Sequence, residues 1–129
     1  MTSPMSARTL LRRAMLVSAG GALGTGARLA LGVIVPESAG IPLAVLIANV
    51  AGALLLGILA SRLPGSSDAR LFLGTGVLGG FTTYSALAVG ATGLWMQTPA
   101  LAAGYAVGSV VLGLAAAALG LRLGRRRVA

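Results

Sequence analysis

The chemistry available to this 129-residue chain is concentrated in one run, Gly76-Val77-Leu78-Gly79-Gly80-Phe81-Thr82-Thr83-Tyr84-Ser85, set inside a long apolar stretch. Adjacent glycines followed by two β-branched threonines disfavour a regular helix. A helix opened at membrane depth exposes peptide oxygens, which must be buried in protein or taken up by an ion. Broken helices of this kind build ion sites near the bilayer centre. The same run also fits a kink that serves packing alone, with Gly76 and Gly80 in a small-xxx-small contact.

Three further positions carry polar chemistry within apolar surroundings. Asn49 stands in mid-stretch, with Gly52 and Ala53 one turn further along the same face. A buried amide in lipid needs a partner, either a neighbouring helix or a hydrated path. Arg28 is a full charge late in the first apolar stretch. It can snorkel, pair with Glu37, or face an aqueous vestibule where it attracts anions. Tyr105 and Ser109 lie four apart on one face of the last stretch, a spacing that packing alone also explains.

The absent residue types exclude whole classes of function. Without Cys or His there are no thiolates, disulfides or the usual transition-metal sites. Glu37 and Asp68 are the only acidic residues, which leaves no carboxylate pair for acid–base catalysis and no carboxylate in mid-span for proton coupling. An enzyme is not expected, and no nucleic acid partner: nearly all of the ten arginines gather at the ends of apolar stretches instead of on a soluble face.

These residues are positioned by four apolar stretches, 14–35, 41–61, 71–96 and 99–121, which make the chain a single four-helix transmembrane domain spanning 1–129. Only 9% of the residues are charged, against about a quarter in a soluble domain, so most of the surface faces something other than water. Each stretch is long enough for the roughly 20 residues that cross a bilayer. The first has a basic start, like a signal peptide, but its apolar run is long for one and Arg28 lies inside it. The connections are short, so neighbouring helices run antiparallel. Gly20/Gly24 and Gly104/Gly108 predict close helix contacts. With four spans, Arg8, Arg12, Arg13, Arg62, Arg70, Arg122, Arg125, Arg126 and Arg127 share one side, whereas the opposite connections carry only Glu37. The positive-inside rule then places both termini in the cytoplasm, in the inner or plasma membrane.

Four segments together resemble the CrcB/Fluc family of fluoride channels: Gly20 to Arg28, Asn49 to Gly57, Gly76 to Ser85, and the last stretch at Tyr105. The resemblance implies an all-α membrane protein whose third helix is broken at mid-membrane and which assembles as an antiparallel dimer with two fluoride pores. It implies a structural sodium ion, not transported, held by the backbone carbonyls of Gly79 and Thr82. Asn49, Tyr84, Ser85, Tyr105 and Ser109 fall on the fluoride pore, and Arg28 on a vestibule. Amide and hydroxyl donors suit fluoride because they replace its tightly held water without trapping it as a full charge does. Aromatic rings add their positive edges.

The chain departs from the family pattern after Ser85. Ala86, Leu87 and Gly90 stand where a threonine, a second phenylalanine and a glutamate are usual. The arginine asymmetry adds to this, because an opposed homodimer needs a chain that inserts both ways. It points to insertion one way only, beside an oppositely oriented paralogous subunit. The leading expectation is passive fluoride export that relieves cytoplasmic fluoride toxicity. The alternatives are a non-conducting companion subunit in a heterodimer and a small multidrug-type exporter, although the first stretch lacks the glutamate that such exporters use for proton coupling.

Overall fold

The computed structural model describes residues 6–125, and within them the chain is helical almost throughout. Helix α1 spans Ala7–Ile34, α2 Leu43–Arg62, α3 Asp68–Arg70, α4 Gly79–Phe81, α5 Tyr84–Gln97 and α6 Pro99–Gly124. A π-helical segment, Leu71–Leu78, joins α3 to α4. Among the described residues, four spans are long and apolar enough to cross a membrane: α1, α2, the composite Asp68–Gln97, and α6. Arg126 and Arg127, used above for orientation, lie outside the described residues.

Several helix ends extend beyond the apolar stretches, for local reasons. α1 begins well before position 14, because the Ser6 side chain accepts from the Thr9 amide (3.3 Å) and caps it. At the far end of α2, Arg70 Nη1 donates to the Leu63 oxygen at 3.1 Å and the Ala60 oxygen at 3.4 Å, which satisfies carbonyls at the helix end. Arg12 pairs with Asp68 at 3.1 Å, an exposed ion pair of small energetic value.

Tight connections enforce the antiparallel arrangement. Between α1 and α2, Ala39 (φ 51°) and Gly40 (φ 75°) both take the left-handed conformation, while Ser38 and Ile41 exchange backbone hydrogen bonds around them. Between α5 and α6 stands a single residue, Thr98, followed by Pro99 in the first turn of α6.

Glycines decide which helices touch. On the α2–α6 seam, a Cβ on Gly57 would lie 2.5 Å from the Ala117 oxygen, and one on Gly120 would run into the Leu54 oxygen. On the seam between α1 and the third span, a Cβ on Gly20 would lie 2.5 Å from the Phe72 oxygen and one on Gly24 would strike the Val77 oxygen. The Gly20/Gly24 expectation is met. Gly104 and Gly108 differ: a Cβ on either meets nothing within 4 Å, so they make no close helix contact within this subunit. Their spacing matches no opposing backbone here because α6 meets α2 further along, at Gly120 and Gly124.

Candidate functional site

The third span is where regular structure stops. The glycine pair itself stays helical: Gly79 has φ −64° and ψ −36°, and α4 continues to Phe81. Extended backbone follows at Thr82 (φ −80°, ψ 156°) and Thr83 (φ −154°, ψ 122°) before α5 starts at Tyr84. The irregularity also reaches upstream, into the π-helical Leu71–Leu78, which the sequence did not disclose. π-helical turns are rare and favour functional sites.

Two side chains hold the interruption open. Asn49 reaches across from α2 to the Thr83 backbone, with the Thr83 amide donating to Oδ1 at 2.7 Å and Nδ2 donating to the Thr83 oxygen at 3.0 Å. The Thr83 hydroxyl then accepts from the Ala86 amide at 3.2 Å and caps α5. In a continuous helix the amides of Thr83 and Ala86 would donate to the Gly79 and Thr82 oxygens. Both amides are spent elsewhere, so these two oxygens lose their helical partners. The Thr82 hydroxyl donates back to the Leu78 oxygen at 2.9 Å and does not fill the gap.

Beside the interruption lies a cavity of about 370 Å³, walled by Asn49, Gly52, Leu78, Gly79, Thr82 and Tyr84 among others. Gly52 gives Thr82 its seat: a Cβ there would collide with the Thr82 methyl group. Gly79, Tyr84 and Ser85 are exposed on the subunit surface, Tyr84 by 83%. Ser85 Oγ lies 3.2 Å from Thr83 Oγ1, tied to the same turn. Among the described residues no group of three His, Cys, Asp or Glu could bind a metal, so any ion held here meets peptide, hydroxyl and amide groups.

The chain matches the family described as CrcB-like protein, Camphor Resistance (CrcB), over residues 15–121. It belongs to the CrcB family. Among its relatives, it is 46% identical to the fluoride-specific ion channel FluC of Paracoccus denitrificans over 113 residues, 84% of this chain and 91% of that one. It is 45% identical to the fluoride-specific ion channel FluC of Thermus thermophilus over 127 residues, 88% of this chain and 96% of that one. Against the fluoride-specific ion channel FluC 2 of Corynebacterium jeikeium it is 53% identical over 92 residues, 67% of this chain and 54% of that one. CrcB proteins are ion channels, and this member is not an enzyme.

The predicted positions of this CrcB-family chain fall into three places. Asn49, Gly79, Thr82, Tyr84 and Ser85 converge on the interruption. Arg28 lies behind it: Nε donates to the Gly80 oxygen at 3.3 Å instead of pairing with Glu37. Tyr105 and Ser109 are apart from both, buried and lining a separate cavity of about 290 Å³ with Ile41 and Leu46. Tyr105 packs with Leu94 and Ala102, and its carbonyl accepts from the Ser109 hydroxyl at 2.6 Å. Sequence reasoning passed over Thr25, whose hydroxyl donates to the Gly80 oxygen at 3.4 Å. Its position one turn before Arg28 was the available signal.

Proposed function

We propose that this chain is a subunit of a fluoride-specific channel giving passive fluoride export down the electrochemical gradient. The observation that carries the reading is the interrupted third span, pinned by Asn49 and open on the subunit face at Gly79, Tyr84 and Ser85. The relatives named as fluoride-specific channels supply the ion. Asn49 spends its oxygen and one N–H on Thr83, which leaves its second N–H as a donor at the cavity wall. With the Ser85 hydroxyl and the edge of the Tyr84 ring, it offers partial positive charge to a small, strongly hydrated anion. Tyr105 and Ser109 line the separate cavity on the side of α6, apart from this set of donors.

A path walled on one face needs a second wall. A second subunit in the opposite orientation supplies it and brings the two interruptions together near the bilayer centre. The Gly79 and Thr82 oxygens of both then suit a sodium ion, because peptide oxygens are ligands for a hard cation. That ion, when bound, neutralises the facing carbonyls and joins the subunits. The arginine-rich side of the chain, with both termini, faces the cytoplasm.

A companion subunit within a heteromer is the second reading, and the packing after Ser85 favours it. Leu87 packs against the apolar cluster of Leu94, Ala102 and Tyr105, and the room above Gly90 is filled by the Pro42 ring, 2.6 Å from where a Cβ would stand. Neither position offers a polar group to an anion. Relatives designated FluC 1 and FluC 2 in one Rhodococcus jostii strain fit paired subunits.

Fluoride efflux from liposomes separates the readings, measured with an electrode for the chain alone and together with an oppositely oriented relative. Efflux from the chain alone supports a conducting homodimer, and efflux only from the pair supports the companion. If neither preparation releases fluoride faster than protein-free liposomes, the channel assignment is wrong.

A further inference from the structure

Two donors from α1 converge on one peptide oxygen at the interruption. Arg28 Nε donates to the Gly80 oxygen at 3.3 Å, and the Thr25 hydroxyl donates to the same oxygen at 3.4 Å. A carbonyl has two lone pairs, so it can accept both. It has need of them, because the extended backbone at Thr82 and Thr83 carries away the residue-84 amide that a continuing helix would offer.

Glycine makes the approach possible. A Cβ on Gly80 would run into the Gly21 oxygen, and one on Gly24 would stand 2.8 Å from the Phe81 amide nitrogen. α1 therefore lies backbone to backbone on the last turn before the interruption. Thr25 follows Gly24 directly, and Arg28 comes one turn later on the same side.

We infer that Arg28 is a positioning residue of the channel: with the Thr25 hydroxyl, its Nε–H holds the Gly80 oxygen against α1, and it acts as a hydrogen-bond donor more than as a charge. The inference rests on the channel reading above. Of the oxygens freed at the interruption, α1 takes up that of Gly80. The peptide planes on either side are fixed with it, so the oxygens of Gly79 and Thr82 keep one orientation toward the open face.

Side-chain length separates donor from charge. Arg28→Gln puts an amide N–H where Nε stands and removes the charge. Arg28→Lys keeps the charge but puts a methylene at that point, with the ammonium one atom beyond. Arg28→Met keeps length with neither, and Thr25→Val removes the second donor at constant volume. Each variant, in lipid nanodiscs and in liposomes, is read by the carbonyl-carbon chemical shift of Gly80, by thermal midpoint and by fluoride efflux.

Arg28→Gln should keep the Gly80 shift and hold efflux within about threefold of wild type, whereas Arg28→Met should move the shift upfield and cut efflux about tenfold. Thr25→Val should move the shift the same way, and Arg28→Lys should fall below Arg28→Gln. The inference is overturned if Arg28→Lys keeps shift and efflux while Arg28→Gln loses both, or if Arg28→Met leaves the Gly80 shift where it was. Should Arg28→Met not fold, the Gln–Lys order and Thr25→Val decide. Wild-type protein that moves no fluoride but whose Gly80 shift follows the expected order would remove the channel reading and leave the positioning role standing.

Discussion

Asn49 and Thr83 are paired as two strands pair in a sheet, amide to carbonyl and carbonyl to amide, at 2.7 and 3.0 Å. One side chain thus satisfies both backbone polar atoms of Thr83, which neither flanking helix serves. Asn49→Leu keeps the volume and strands both atoms. Each orphaned group costs about 1–3 kcal/mol, so the thermal midpoint should fall clearly. Efflux should fall with it, because the orientation of Thr82 and Thr83 is lost. A variant that melts and conducts like wild type would show that the pair contributes nothing.

Gly52 should be intolerant of the smallest side chain, for a reason that a second substitution can expose. A Cβ at Gly52 collides with the Thr82 methyl group. Gly52→Ala should therefore lower stability by about 1–3 kcal/mol, the usual range for overpacking. Thr82→Ser removes the methyl and keeps the hydroxyl that bonds the Leu78 oxygen. The Gly52→Ala/Thr82→Ser double variant should regain most of the loss in a thermal melt; strict additivity would place the clash elsewhere.

Two glycine pairs with the same spacing have different fates, and that difference can be measured. Gly24→Ala drives a methyl into the Val77 oxygen and should destabilise the subunit or abolish its expression. Gly108→Ala meets nothing within 4 Å and should leave the subunit's melting unchanged. Light scattering of the Gly108 variant then asks whether a second copy seats on that surface: loss of dimer with unchanged helicity would answer yes.

The four spans and their antiparallel order were legible in the sequence because bilayer thickness fixes helix length and short connections leave little choice. The position of the interruption was legible only to within a few residues. Paired glycines marked Gly79–Gly80, but both remain helical, and the chain opens at Thr82 and Thr83. The deciding contact is Asn49, 34 residues away, and no local propensity carries that information. The π-helical stretch was not legible either. Leu71–Leu78 lies on α1 through Gly20 and Gly76, a backbone-to-backbone contact between distant parts of the chain. Arg28 was visible as an anomaly, but its partner, a peptide oxygen, carries no residue-type signal.

Orientation gives a test that depends on no pore residue. The described arginines on the side of the termini are Arg8, Arg12, Arg13, Arg62, Arg70, Arg122 and Arg125, and the opposite connection carries Glu37. A reporter pair fused to the C-terminus, one active in the cytoplasm and one outside, should give signal from the cytoplasmic reporter only. Comparable signals from both would mean dual insertion and would favour a homodimer over a heteromer.

Gly90 and Pro42 set the packing after Ser85. The Pro42 ring, at the start of α2, stands 2.6 Å from where a Gly90 Cβ would be, so the space beside Gly90 is filled by packing. Gly90→Glu must displace that ring and place a carboxylate among apolar groups, so it should lower the thermal midpoint and bring no gain in efflux. Pro42→Ala removes the atoms in the way. If the contact is the cause, Pro42→Ala/Gly90→Glu should be more stable than the sum of the single variants by about 1 kcal/mol, the coupling expected of neighbours that share space. Independent effects, adding within error, would locate the cost of Gly90→Glu in the buried charge instead of the lost contact. A rise in efflux from the double variant alone would identify the Pro42 ring as what keeps this wall of the path closed to an anion.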